Sequence, residues 1–224
     1  VRDISSYYFT DVALMRAIEK GWVEGPRIIP CGHGLSITGG SADIIGFAPG
    51  IRELGPENGI ANGVDQVIQS VRHQIKHGAK FVKIYATGGV YSQSPVIQAR
   101  QYSDAELTAA VAEARRHGLK IAAHAHGTEG IIAAVKAGVD SIEHGSMLNE
   151  EGIRLMKEKG TYLVPTSYLM GLSDYEGLPE ETVVRFEYIK KFARESHRKA
   201  IAAGIKIAFG TDVCVFPHGE NAKE

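Results

Sequence analysis

One pattern of apolar and polar positions recurs along the chain. A segment with apolar residues at helical spacing ends in basic or small residues, a glycine follows, and a short apolar run begins. The copies are Glu19-Lys20-Gly21, Lys76-His77-Gly78, Arg116-His117-Gly118, Lys136-Ala137-Gly138, Glu158-Lys159-Gly160 and Ala202-Ala203-Gly204. Glycine suits the left-handed position that stops a helix, and cations suit the helix's negative end. The runs that follow are RIIPCG (27–32), FVKIYATGG (81–89), LKIAAHAHG (119–127), DSIEHGSM (140–147), TYLVPTS (161–167) and IKIAFGTD (205–212). Between them the spacing predicts helices. Over 104–117, Leu107, Ala110, Val111 and Ala114 form one face behind Ser103-Asp104, and Glu106 completes a capping signal. Residues 128–137 and 149–159 read the same way, and 180–203 forms the longest helix, after Pro179.

Strand–helix alternation with mostly apolar strands predicts a parallel sheet covered by helices. Counting residues 1–4, there are seven strands. A doubly wound open sheet is the alternative, but no GxGxxG follows an early strand, so dinucleotide binding has no support. The polar residues cluster at the carboxyl ends of many strands, where a (β/α)8 TIM-type barrel places its active site. The expected fold is therefore an α/β barrel with residues 1–224 as one domain. Residues 34–61, rich in Gly and Ser, read as a long loop over the barrel mouth.

Composition adds limits. The 224 residues are 44% hydrophobic and 23% charged, with a formal net charge of -1. The basic residues are scattered, so nothing points to nucleic acid or an anionic membrane. No apolar run approaches the roughly 20 residues needed to span a bilayer. Cys31 and Cys214 lie far apart and form no CxxC, so they read as two small apolar side chains. The chain opens on Val1-Arg2-Asp3-Ile4, which reads as a strand already under way, and this suggests a fragment. Localisation is left open.

The candidate chemistry lies at the strand ends. Lys83 sits between Val82 and Ile84, where a desolvated ammonium is costly. It could snorkel or pair with a carboxylate, form a Schiff base, or be carbamylated by CO2 into a metal-bridging carboxylate. His124 and His126 are two apart on one strand and so face one site. His144 ends the next strand, while Glu143 is expected to point away, against the helices. Asp212 ends the last strand. Imidazole and carboxylate donors suit zinc-like ions. His73, His77, His117 and His197 lie on helical segments and are expected to be solvated. His33 starts the mouth loop and could reach the site, and His218, in FPHGENA, could contact substrate or cap the final helix.

The order Lys83, His124, His144, Asp212 on successive strand ends resembles the binuclear members of the amidohydrolase superfamily. More narrowly, FVKIYATGG, AAHAHG, AGVDSIEHG and FGTD followed by PHGENAKE resemble its imidazolonepropionase-like branch of prolidase-type metallodipeptidases, lysine/arginine carboxypeptidases and ochratoxinase. The resemblance implies that Lys83 is carbamylated and bridges two divalent metals, zinc being the first choice. His124 and His144 would complete one shell. Asp212 would bind the other metal and shuttle the proton. His126 would face the substrate's α-carboxylate, and Tyr85 would line the mouth. The implied reaction is cleavage of an amide in a dipeptide or N-acyl amino acid by a metal-bound hydroxide, as in a dipeptidase or carboxypeptidase. A homo-oligomer is compatible with the resemblance.

The chain departs from the family pattern in two places. The His-x-His pair of the family's first strand is absent, so this chain reads as strands 2–8, without the final helix and the small β-domain. Ser41 stands where relatives often carry His. The rival readings are a Schiff-base aldolase on Lys83, a cyclic-amide hydrolase or deaminase of the same superfamily, and a non-catalytic barrel with a decayed metal site.

Overall fold

In a computed structural model the described residues are 1–92, 96–171, 175–213, 216 and 218–224. Cys214 lies outside them. The strands are β1 (Arg2–Asp3), β2 (Ile29–Pro30), β3 (Val82–Tyr85), β4 (Ile121–Ala125), β5 (Ser141–His144) and β6 (Tyr162–Val164). The helices are α1 (Thr10–Glu19), α2 (Val64–His77), α3 (Asp104–Arg116), α4 (Thr128–Ala137), α5 (Glu150–Lys159) and α6 (Glu180–Ala202). All strand pairs are parallel: β1 with β2, and β3-β4-β5-β6 in sequence order. Single bridges extend the sheet at both sides, Leu35 to Ile84 and Leu163 to Ile207. This is the curved parallel sheet of a partial (β/α)8 barrel with helices outside.

The local signals operate as expected. All six helix-ending glycines have positive φ, from +69° at Gly160 to +114° at Gly78. Ser103 and Glu106 make the reciprocal capping box of α3, and the Asn149 side chain accepts from the Gly152 N–H to start α5. The run 205–212 contributes the single bridge at Ile207 rather than a longer strand.

The sheet's two faces have different jobs. Val82, Ile84, Ile121, Ala123, Ala125, Ile142 and Leu163 point outward into the main core against Val67, Val71, Leu107, Val111, Ile131 and Met156. Alanines on β4 let α4 approach closely, and Gly130 is required there, since a Cβ would lie 2.2 Å from Thr87 Cγ2. The inner face is set by register. Lys83 pairs with Ala122, Tyr85 with His124, Ala122 with Ser141, and His124 with Glu143. Laterally paired residues of a parallel sheet share a face.

That register corrects the expectation for Glu143. It faces the barrel interior, fully buried, bonded by Ser141 Oγ at 2.6 Å and by Arg2 at 3.1 and 3.3 Å. A buried carboxylate needs such donors. Its distance from His144 in sequence suggested the opposite face, but His144 is the residue that breaks the alternation.

Residues 34–61 begin inside the sheet, not above it. Leu35 is fully buried and exchanges backbone hydrogen bonds with Lys83 and Tyr85. Ser36 bridges to Ile60. Gly34 has to be glycine, because a Cβ would meet Tyr85 Cε2 at 2.6 Å and Lys83 Cγ at 3.3 Å.

Candidate metal centre

Three imidazoles converge at the carboxyl ends of β4 and β5. His124, His126 and His144 are all buried, and one ring nitrogen from each lies within 4.8 Å of the others. His126 and His144 stack with centroids 4.8 Å apart, and His124 meets both edge-on at 4.7 Å. His124 and His126 share a side of the strand, as their spacing required. His144 arrives differently. Paired with Ala125, it would continue the outward face, but its φ of +71° turns the backbone. Such a conformation is uncommon outside glycine and is retained where surroundings over-determine it.

Each ring has a fixed partner. The Nε2 of His124 lies 2.9 Å from the Gly88 carbonyl, which can only accept, so Nε2 carries the proton and Nδ1 is bare. Nδ1 of His126 lies 2.8 Å from Ser146 Oγ, and its backbone N–H donates to Thr87 Oγ1. Nδ1 of His144 lies 2.8 Å from Thr166 Oγ1. Burial lowers the pKa of all three rings, and nearby charge, including that of Lys83, adds to the effect. His126 is pushed down to about 3. Neutral imidazoles with bare nitrogens are the state a metal requires.

Lys83 is 2% exposed. Its ammonium makes no hydrogen bond or ion pair among the described residues, and it lies 5.4 Å from the Tyr85 ring centroid. Burial lowers its pKa, while Glu143 and Asp212 pull it back up. Tyr85 stands beside His124, with ring centroids 5.3 Å apart, and burial raises its phenol pKa. Asp212 also has a left-handed backbone, φ +53°. Burial raises its carboxyl pKa, and the Lys83 charge opposes this. Lys83 and Asp212 thus feel each other without an ion pair, and Asp212 is not among the ligand atoms gathered around the three rings.

Several expectations about the other histidines change. His197 is buried, not solvated, and its Nε2 donates to the His144 carbonyl at 2.7 Å. It lies on the buried stripe Ile189, Ala193, Ala200 of α6, and following that stripe in the sequence would have found it. His33 is buried but turned from the triad, meeting Phe9 at 4.8 Å and bonded to Tyr8 N and Gln74. His73 and His77 are half-buried and stack around Phe9. His117 is exposed, as expected, beside Glu113. His218 is exposed. Thr166 and Ser146, which hold the rings, carried no signal beyond being hydroxyl residues just past a strand.

Parallel strands of a partial barrel thus carry three buried imidazoles at their carboxyl ends and a buried lysine on the neighbouring strand. The chain belongs to the amidohydrolase family, whose model matches residues 3–223. It is 36% identical over 239 residues to ochratoxinase of Aspergillus niger, covering 100% of this chain and 49% of that protein. A crystal structure of a Xaa-Pro dipeptidase with methionine bound in its active site superposes with a TM-score of 0.94 at 39% identity, covering 100% of this chain and 57% of the other. A prolidase complexed with N-methylphosphonate-L-proline superposes with a TM-score of 0.82 at 37% identity, covering 95% and 54%. The chain spans about half the length of the curated relatives it matches.

Proposed function

We propose that this chain supplies part of a metal-dependent amide hydrolase acting on dipeptides or N-acyl amino acids with a free carboxylate. The observation that carries the reading is the convergence of three buried imidazoles, each with its pKa lowered by burial and by the charge of a buried Lys83 that has no ion-pair partner among the described residues. The donor set fits a borderline-soft divalent ion such as zinc. The relatives named for Xaa-Pro dipeptidase, prolidase and ochratoxinase activity support an amide substrate.

In this reading His124 through Nδ1, His144 through Nε2, Lys83 as its carbamate and Asp212 would be the residues that hold the divalent metal. Formation of the carbamate joins the neutral amine of Lys83 to CO2 and releases one proton. Burial favours the neutral amine. Such ions supply Lewis-acid polarisation of a carbonyl and acidification of water. The chain's own groups do the rest. Asp212, with its raised pKa, takes a proton from the attacking water and returns it to the leaving amine. His126 and Tyr85 face the substrate, His126 toward its carboxylate, and His218 stands on the segment beyond Asp212.

The test is Lys83→Ala in the protein that carries this chain, followed by metal analysis and a dipeptidase assay. Metal content is expected to fall to background and turnover to drop by at least about 100-fold. Retained turnover with bound metal would sink the reading.

A further inference from the structure

His144 is held from two sides, and the two contacts have different consequences. His197 Nε2 donates to its carbonyl, 2.7 Å away. This secures the left-handed backbone. Thr166 addresses the ring: its Oγ1 lies 2.8 Å from His144 Nδ1 and also 2.7 Å from the Pro165 carbonyl. A threonine hydroxyl has one hydrogen and can accept further bonds. The Pro165 carbonyl can only accept, so the hydroxyl hydrogen goes there. Thr166 Oγ1 must then accept from His144, which places the imidazole hydrogen on Nδ1 and leaves Nε2 bare. Thr166 is itself 1% exposed and has φ +49°. For a β-branched residue that backbone is a genuine outlier, and such strain concentrates at functional sites.

We infer that Thr166 is a positioning residue that fixes the His144 tautomer, so that Nε2 of His144 points its lone pair into the space shared with His124 and His126. The inference rests on the metal-centre reading for its consequence, but the tautomer itself is a property of the metal-free chain. Groups that orient a ligand histidine typically alter metal affinity by 10–100-fold when removed. The strand-6 end thus serves the site through a hydroxyl rather than through a ligand of its own.

The experiment compares wild type, Thr166→Val and Thr166→Ser in two measurements. Valine keeps the branched shape and backbone demand but removes the hydroxyl, whereas serine keeps the hydroxyl. In metal-free protein, 15N imidazole shifts are expected to show His144 protonated at Nδ1 in wild type and Thr166→Ser, with a mixed or reversed tautomer in Thr166→Val. With Zn²⁺ in competition with a chromophoric chelator, Thr166→Val is expected to bind about 10–100-fold more weakly and Thr166→Ser within about threefold of wild type. A His144 ring that stays Nδ1-protonated in Thr166→Val, or zinc affinity unchanged in that variant, overturns the inference. Wild type that binds no zinc overturns the metal-centre reading instead, and the 15N shifts still decide whether Thr166 sets the tautomer. Should Thr166→Val fail to fold, the wild-type shifts carry the decision: protonation at Nε2 of His144 overturns the inference.

Discussion

From Val82 to Val164, four adjacent parallel strands are locked in register, their outward side chains sit in one continuous core, and three ligand-type histidines meet at their ends. The flanks are built more sparsely. β1 and β2 are two residues each, and the run leading to Asp212 touches the sheet through the bridge at Ile207. Ile207 is 41% exposed and Phe209 70% exposed. The difference shows how the site is divided. The groups on the middle strands are placed by backbone hydrogen bonding, and the register that builds the core also aims His124 and His126. Asp212 is placed by a left-handed backbone at the end of a lightly held segment.

The comparison can be broken most forcefully at Asp212. Asp212→Asn is expected to reduce amide hydrolysis by roughly 10²–10⁴-fold while the His124–His144 side still takes up metal. Simultaneous loss of all bound metal, measured by elemental analysis, would show that the flank and the middle form one inseparable site. Next in size is stability. Leu163 is fully buried on a middle strand, so Leu163→Ala is expected to cost about 2–5 kcal/mol by urea denaturation. A cost below about 1 kcal/mol would mean that the middle sheet is no better packed than the flanks.

A smaller effect tests the helices behind the middle strands. The Glu113 side chain on α3 is bound by Arg72 of α2 at 2.7 Å, and also by Arg116 and His117. The Arg72 hydrogen bond, opposed by desolvation and aided by His117 and Arg116, holds its pKa below the ordinary 4.5. As pH falls, the unfolded chain therefore takes up the proton first. The stabilisation is complete above about pH 4.5 and is lost as pH falls through the lower folded value. Glu113→Gln should lower Tm by a few degrees at neutral pH, and the gap from wild type should close below pH 4.5. A gap that is constant with pH would assign the effect to packing. The smallest effect is expected on the flank: Phe209→Ala should change stability by no more than about 0.5 kcal/mol. A loss comparable with that at Leu163 would erase the distinction.

Much of this was legible beforehand because it depends on short-range chemistry. The six glycine stops, the Ser103–Glu106 box and the bounds of α3 to α6 follow from side chains within a turn of one another. His124 and His126 share a site because strand geometry has a period of two. Reading failed where that period failed. The register put Glu143 inside, the left-handed backbone at His144 turned that residue into the cluster, and no residue type announces such a turn. His197 was misread as solvated because a helix face is defined by what packs on it, and its partner, the His144 carbonyl, is 53 residues away.

The amino-acid sequence by itself determined the alternating parallel architecture, the helix ends and the set of side chains available for metal chemistry, since each follows from local periodicity and residue type. The tertiary structure alone decided which of them meet. It buried Lys83 without an ion pair among the described residues, turned His144 through a strained backbone and set the Thr166 hydroxyl against its ring. Those outcomes depend on strand register and long-range hydrogen bonds, which no local pattern encodes.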